Sequence, residues 1–326
     1  MSRKQIIEVQ FKGIYYSLNL KNKTCKLISN NTAFGDILIP SSLKFKSTNY
    51  VVKSLDDCSF KDSSKIKSIQ FSSNSKVNKL GKYVFYNSSI ESIVISPQIT
   101  QIGEGCFAKC KNLQKIEFTT NSQLQTIERN AFYESSISFI SIPPHVTKIS
   151  DNAFKYCMKL KEINISTNSE LYTIEINAFS LSNIESIFIP SKLIELKEGW
   201  CNETSHLNKI QVMPNNPIYS SFDENKIIIG KSSITKENFD VLVFAVRNIK
   251  HVKIPSFIEK IGPYSFDSCI QIQEIELQND SKLHIIEKFA FRNSTINKFI
   301  LPKQITHICE NAFYYSKFKK FEIPTD

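Results

Sequence analysis

Eight cysteines and five histidines are the residues of this sequence best suited to chemistry, and Cys106 and Cys110 come nearest to the spacing of a zinc half-site. No second pair completes it. Cys110, Cys157 and Cys269 each stand three residues after an aromatic residue, and the same offset elsewhere holds Ser63, Ser88, Ser135, Ser182, Ser294 and Ser316. A position shared by cysteine and serine reads as a small, buried turn site, and thiols that recur one or more coils apart have no partner in sequence. Cys58, Cys201 and Cys309 fall at three other offsets, and Cys25 precedes the repeats. Reduced, inert thiols are expected, with no metal, no disulfide framework and no cofactor.

The histidines, His145, His206, His251, His284 and His307, form no H-x-x-x-H or H-E-x-x-H pair that would aim two ligands from one helix face. Cys201 and His206 are the closest nucleophile and base, and they could act only if folding brought them together with a carboxylate. Gly103-x-Gly105-x-x-Ala108 mimics a dinucleotide fingerprint without the strand and helix that must flank it. Gly230-Lys231-Ser232 resembles the end of a phosphate loop, but Asn225 stands where the earlier glycine is required. Sequons at Asn22, Asn87, Asn164 and Asn293 arise readily in a chain rich in Asn and Ser, and do not establish secretion. A catalytic role is not expected.

The elements that would have to position any site are set by a repeat. Aromatic residues recur at Phe60, Phe85, Phe107, Phe132, Phe154 and Phe179, then at Trp200, Phe266, Phe291 and Phe313. The spacing alternates between about 22 and 25 residues except for a gap of 66 before Phe266. An aliphatic residue stands five positions earlier in most units, as in Ile127, Ile149 and Ile174, with Leu196 shifted by one before Trp200. A second register, apolar-x-x-apolar-x-apolar, follows in ten copies, among them Ile137/Ile140/Ile142, Leu160/Ile163/Ile165 and Ile184/Ile187/Ile189. The last two apolar positions lie two apart, so a strand puts both on one face and turns the residues between them outward. A coil of about 22 residues cannot bury its own apolar face, whereas stacked coils do so jointly. The spacing predicts a β-rich solenoid of some eleven or twelve coils, roughly 50 to 60 Å long at the spacing of parallel strands.

Within that register, Ile142-Pro143-Pro144-His145-Val146-Thr147-Lys148-Ile149-Ser150-Asp151-Asn152-Ala153-Phe154-Lys155-Tyr156-Cys157 resembles the I-P-x-x-V-x-x-I-G-x-x-A-F-x-x-C unit of BspA-like leucine-rich-repeat proteins. Asn216-Pro217-Ile218-Tyr219 resembles the N-P-x-Y insert of the same family, although Asp223-Glu224-Asn225 replaces the family's D-G turn and leaves the turn geometry open. The resemblance covers nearly the whole chain. It implies a leucine-rich-repeat solenoid and a surface-antigen-like protein of parasitic protists or bacteria, binding host proteins or other cells.

Residues 1–52 alternate apolar and polar positions around Lys21-Asn22-Lys23 and Asn30-Asn31, and read as an N-terminal hairpin cap that covers the first coil. Leucine-rich repeats span 53–212 and 254–326. Between them 213–253 reads as an irregular hairpin insert, with strands at Lys226–Gly230 and Asp240–Phe244, that continues the stack as a spacer or as a recognition loop. All four segments form one continuous solenoid. The last repeat strand, Phe321-Glu322-Ile323-Pro324, has no capping unit after it, which suggests self-association at the C-terminal edge or an early stop.

A net charge of +10 allows a polyanion partner, but the lysines are spread along the chain, so a protein or host-cell ligand is the stronger expectation. No stretch is apolar enough for a membrane span or a secretory signal, which points to the cytoplasm, while the resemblance points to the cell surface. An intracellular scaffold or polyanion-binding repeat protein is the alternative function.

The outward strand positions carry the remaining signal. Most are polar, but Phe139 and Phe188 point outward two coils apart near the middle of the rod, beside Lys115, Glu117, Glu162, Asn164 and Lys209. Aromatic anchors ringed by charge fit a protein interface, and isolated exposed apolar residues are also ordinary.

Overall fold

The computed structural model describes residues 5–30 and 32–323. Asn31 and the residues flanking this span, 1–4 and 324–326, lie outside the described residues, and with them part of the Asn30-Asn31 turn and the end of the last repeat. Among the described residues the chain is strand and turn throughout, wound into a solenoid of about 13 turns. This exceeds the eleven or twelve expected because the cap and the insert also add strands to the stack. Phe34–Ile39 pairs in parallel with Lys65–Phe71, and Val241–Ala245 with Lys260–Ile261.

Each regular coil has three sides. The first is a two-residue strand such as Lys148–Ile149, whose aliphatic residue is the one five positions before the ring; Leu80, Ile102, Ile127, Ile149 and Ile174 are fully buried there. The third side is a four-residue strand such as Glu162–Ile165, in which Ile163 and Ile165 point inward and Glu162 and Asn164 outward. Both sides form parallel ladders, because equivalent strands of successive coils run in one direction.

The second side is a turn built around the ring. The residues two before and two after it take positive φ, as do Asn130 and Glu134 around Phe132, and Asn152 and Tyr156 around Phe154. Asparagine is frequent there because it tolerates the left-handed region better than most residues. Between these reversals the ring residue donates its amide to the next coil, Phe132 to Ala153 (2.8 Å) and Phe154 to Ala178 (2.7 Å). The rings stack as a result: Phe60, Phe85, Phe107, Phe132, Phe154 and Phe179 follow one another at 5.1–5.5 Å with planes within 10° of parallel.

Trp200 breaks this column, and the backbone corrects its sequence register. Positive φ falls at Gly199 and Glu203, which flank Cys201, and Phe179 donates to the Trp200 carbonyl as Phe154 does to that of Ala178. Cys201 therefore occupies the ring position and Trp200 the alanine position. Leu196, five residues before Cys201, is in register after all. The indole turns edge-on to Phe179 (6.3 Å, 87°) and leans on Phe244 (6.0 Å).

After this coil the two ladders are spliced through three antiparallel strands, Tyr219–Phe222, Ile227–Gly230 and Val241–Ala245. Asn216 closes the first ladder. Its amide donates to the carbonyls of Pro190 and Leu193 (both 2.8 Å), and its oxygen accepts the amides of Ile218 and Tyr219 (2.9 and 2.8 Å). The Tyr219 hydroxyl then accepts the Leu196 amide (3.0 Å). On the turn side, Arg292 joins Asp267 (2.7 Å) and Glu203 (3.2 Å), while Asp267 also accepts the Glu203 amide (2.6 Å), so charged side chains bridge coils on either side of the insert. Arg247 is buried between them, its guanidinium 4.3 Å from the Phe244 ring centre and bonded to the Ser265 carbonyl (3.2 Å).

The turn that replaces the family's D-G pair places three successive residues, Asp223, Glu224 and Asn225, at φ of 51°, 54° and 64°. Glutamate is the least suited of the three, at a cost of about 1–2 kcal/mol. Glu224→Gly is expected to stabilise the chain by about 1 kcal/mol in denaturant unfolding, its exposed ion pair with Lys226 contributing little. Unchanged or lowered stability would show that the turn carries no such strain.

Candidate recognition surface

Strand alternation decides what the third side shows to solvent. Phe139, Glu162, Ser186 and Lys209 follow one another along a single outward row, and one step along the strands Ser141 faces Asn164 and Phe188 faces Gln211. Phe139 is 45% exposed, whereas Phe188 is half-buried, its ring leaning on the core. Two strand spacings separate their strands, roughly 10 Å. Lys115 and Glu117 lie on the strand before, the last of a separate four-stranded sheet, and pair with each other at 2.6 Å. Asn164 donates to the Ser141 hydroxyl (3.1 Å). The sequence-read residues thus share one face, with the aromatics set diagonally among polar neighbours.

Elsewhere on this face lysine is held by carboxylate, Lys161 by Glu185 (3.1 Å), Lys253 by Glu276 (3.4 Å) and Lys298 by Glu274 (2.6 Å). These exposed pairs contribute little stability each, but each offsets the charge of its lysine.

Where the ladders are spliced the face opens. Lys209–Val212 ends one sheet and His251–Ile254 begins the next, and between them runs a groove of about 530 Å³. Lys209 and Gln211 line one wall, Lys250 and His251 the other, with Glu224 and Lys226 from the insert. Sequence reasoning missed this groove because it arises from a strand that is not there; the gap of 66 residues between Trp200 and Phe266 was its only trace.

The thiols are placed for packing. Cys110 and Cys157 donate to the ring-residue carbonyl of the preceding coil, Phe85 (2.9 Å) and Phe132 (3.0 Å), and lie beside Ser88 and Ser135 of that coil. Ser182 and Ser294 use the same position to bond their own coil's carbonyl, as Thr204 does after Cys201. The position needs a small hydrogen-bond donor. Burial pushes the thiols of Cys110, Cys157 and Cys201 up to about 12 and that of Cys269 up to about 11, so none is a thiolate near neutrality. Cys157→Ser is expected to lower the melting temperature by less than about 8 °C, the equivalent of roughly 2 kcal/mol for a chain of this size, and a larger drop would contradict the shared-site argument.

The one nucleophile and base pair considered from sequence is not assembled. The Cys201 thiol lies 3.9 Å from the Arg247 guanidinium, while His206 is exposed and contacts the Ser205 hydroxyl (3.1 Å). Among the described residues no three His, Cys, Asp or Glu side chains gather as a metal site, and no helix is long and apolar enough to cross a membrane.

The sequence matches a family model described as "BspA type Leucine rich repeat region" in six copies, over residues 26–161, 117–228 and 237–326. No curated protein matches the sequence. Among solved structures, a leucine rich cell surface protein from Faecalibacterium prausnitzii is 20% identical with a TM-score of 0.71, over 94% of this chain and 86% of that one. The pneumococcal vaccine antigen PcpA is 22% identical with a TM-score of 0.64, over 94% of this chain and 78% of its own. At these identities the likeness is one of fold.

Proposed function

We propose that this chain, which belongs to the BspA-type leucine-rich repeat family, is a recognition or adhesion module without catalytic activity that takes a macromolecular partner on its strand face. The observation that carries the reading is the patch around Phe139 and Phe188: aromatic surface on a rigid ladder, with Glu162, Asn164 and Lys209 around it and Lys115 and Glu117 on the adjoining strand. Aromatic anchors inside a polar rim are the usual energetic centre of a protein interface. A protein or host-cell ligand fits this surface better than a polyanion does, because the lysines nearest the aromatic patch on its N-terminal side, Lys115 and Lys161, are already paired with carboxylates. The cell-surface protein and the vaccine antigen that share the fold support display outside the cell.

Phe139→Ser with Phe188→Ser should weaken capture of the partner at least tenfold while costing no more than about 2 kcal/mol of stability, since Phe139 is exposed and Phe188 only leans on the core. Unchanged affinity would place the partner elsewhere. Surface labelling of intact cells tests the location, and a protein wholly inaccessible from outside would favour an intracellular scaffold instead.

A further inference from the structure

Most coil steps on the strand face share one backbone link, in which the carbonyl two residues before the buried central position accepts amides of the following coil; besides the splice, the step from Lys115–Phe118 to Phe139–Ile142 lacks it, where two sheets meet. Glu91 accepts from Gln114 and Lys115 (2.9 and 3.2 Å), Glu185 from Asn208 and Lys209 (3.0 and 3.2 Å), and Lys250 from Gln273 and Glu274 (2.7 and 3.3 Å). At the splice the corresponding residues are Asn208 on one side and Lys250 and His251 on the other; the Arg247 amide still reaches the Leu207 carbonyl (3.0 Å) and the Ser221 hydroxyl takes the Val212 amide (3.2 Å), and between these two bonds the link is replaced by the groove. Two parallel strand edges face each other across it, and strand edges that no neighbour covers are templates for an added strand.

Charge says what kind of strand. Lys115, Lys161, Lys253 and Lys298 of this face are each held by a carboxylate, whereas among the described residues Lys209 and Lys250, on the two lips of the groove, are paired with none; Lys65, Lys67, Lys317 and Lys319 are also unpaired but lie towards the two ends of the ladder, away from the groove. Lys226 adds a third cation at the insert end, shared with Asp223 and Glu224. We infer that the groove binds an extended acidic segment of a partner protein, which lies between the two ladders as the strand missing from the splice and sets its carboxylates against Lys209 and Lys250. The inference rests on the recognition reading only in taking the strand face as the working surface; the groove adjoins the Phe139 and Phe188 patch and shares Lys209 with it, but neither ring lines the groove.

The test uses the full chain and a fluorescent nonapeptide of alternating glutamate and valine, followed by anisotropy. Saturable binding is expected, with no binding of the peptide carrying lysine for glutamate. N-methylation of alternate residues, which removes the edge amides, should abolish it. Lys209→Glu with Lys250→Glu should weaken binding tenfold or more, Lys209→Gln with Lys250→Gln should weaken it less, and Phe139→Ser with Phe188→Ser should leave it unchanged. Failure of the acidic peptide to bind would overturn the inference, as would equal binding of the N-methylated peptide, or of heparin with the same loss in the lysine variants. Because the aromatic variant is read separately with the natural partner, failure at the groove and failure of the recognition reading give different results.

Discussion

Phe154→Ala is expected to destabilise the chain by roughly 3–5 kcal/mol in denaturant unfolding, the usual cost of emptying a fully buried aromatic site. Phe154 lies fully buried between Phe132 (5.1 Å, planes 2° apart) and Phe179 (5.3 Å, 10°). Each coil contacts chiefly its neighbours, so the loss should be local at first. Amide exchange should accelerate in the strands Phe139–Ile142, Glu162–Ile165 and Ser186–Ile189 before it does in Glu274–Leu277. A cost below about 1 kcal/mol would mean that the ring column is not the core of the stack.

Asn216→Ala should cost about 3 kcal/mol or more for a different reason. It leaves two buried carbonyls and two amides without their partner, and a buried polar group deprived of its hydrogen bond loses about 1–3 kcal/mol. Asn216→Asp keeps the acceptor and loses both donors, so it should lie between wild type and alanine only if the negative charge is tolerated there. Exchange should rise first at the Ile218 and Tyr219 amides, which the side chain holds, and then at the Leu196 amide, which the Tyr219 hydroxyl holds. A loss under about 1 kcal/mol would assign closure of the splice to the Arg292, Asp267 and Glu203 cluster instead.

The solenoid was legible because it repeats. A ring, an aliphatic residue five before it and a pair of apolar residues two apart recur often enough that the period outweighs any local ambiguity, and the cysteine offsets fall into the same register. Trp200 shows the limit of that reasoning. A large aromatic residue near the expected place was read as the ring, whereas the backbone puts it in the alanine slot and Cys201 in the ring slot; the αL residues Gly199 and Glu203 that decide the matter are not distinctive in sequence. The outward residues of the face followed from strand alternation, but how far each protrudes did not, since Phe139 stands out and Phe188 leans inward. The groove was hidden because a missing hydrogen-bonded step has no residue of its own to mark it.

The most direct test of the central claim is a hydrogen-exchange footprint of the full chain bound to the partner it captures. Binding on the strand face predicts protection of Lys115–Phe118, Phe139–Ile142, Glu162–Ile165 and Ser186–Ile189, with the turns around Phe107, Phe132 and Phe154 exchanging as in the free chain. Protection confined to those turns, or to the two-residue strands on the remaining side, would contradict it.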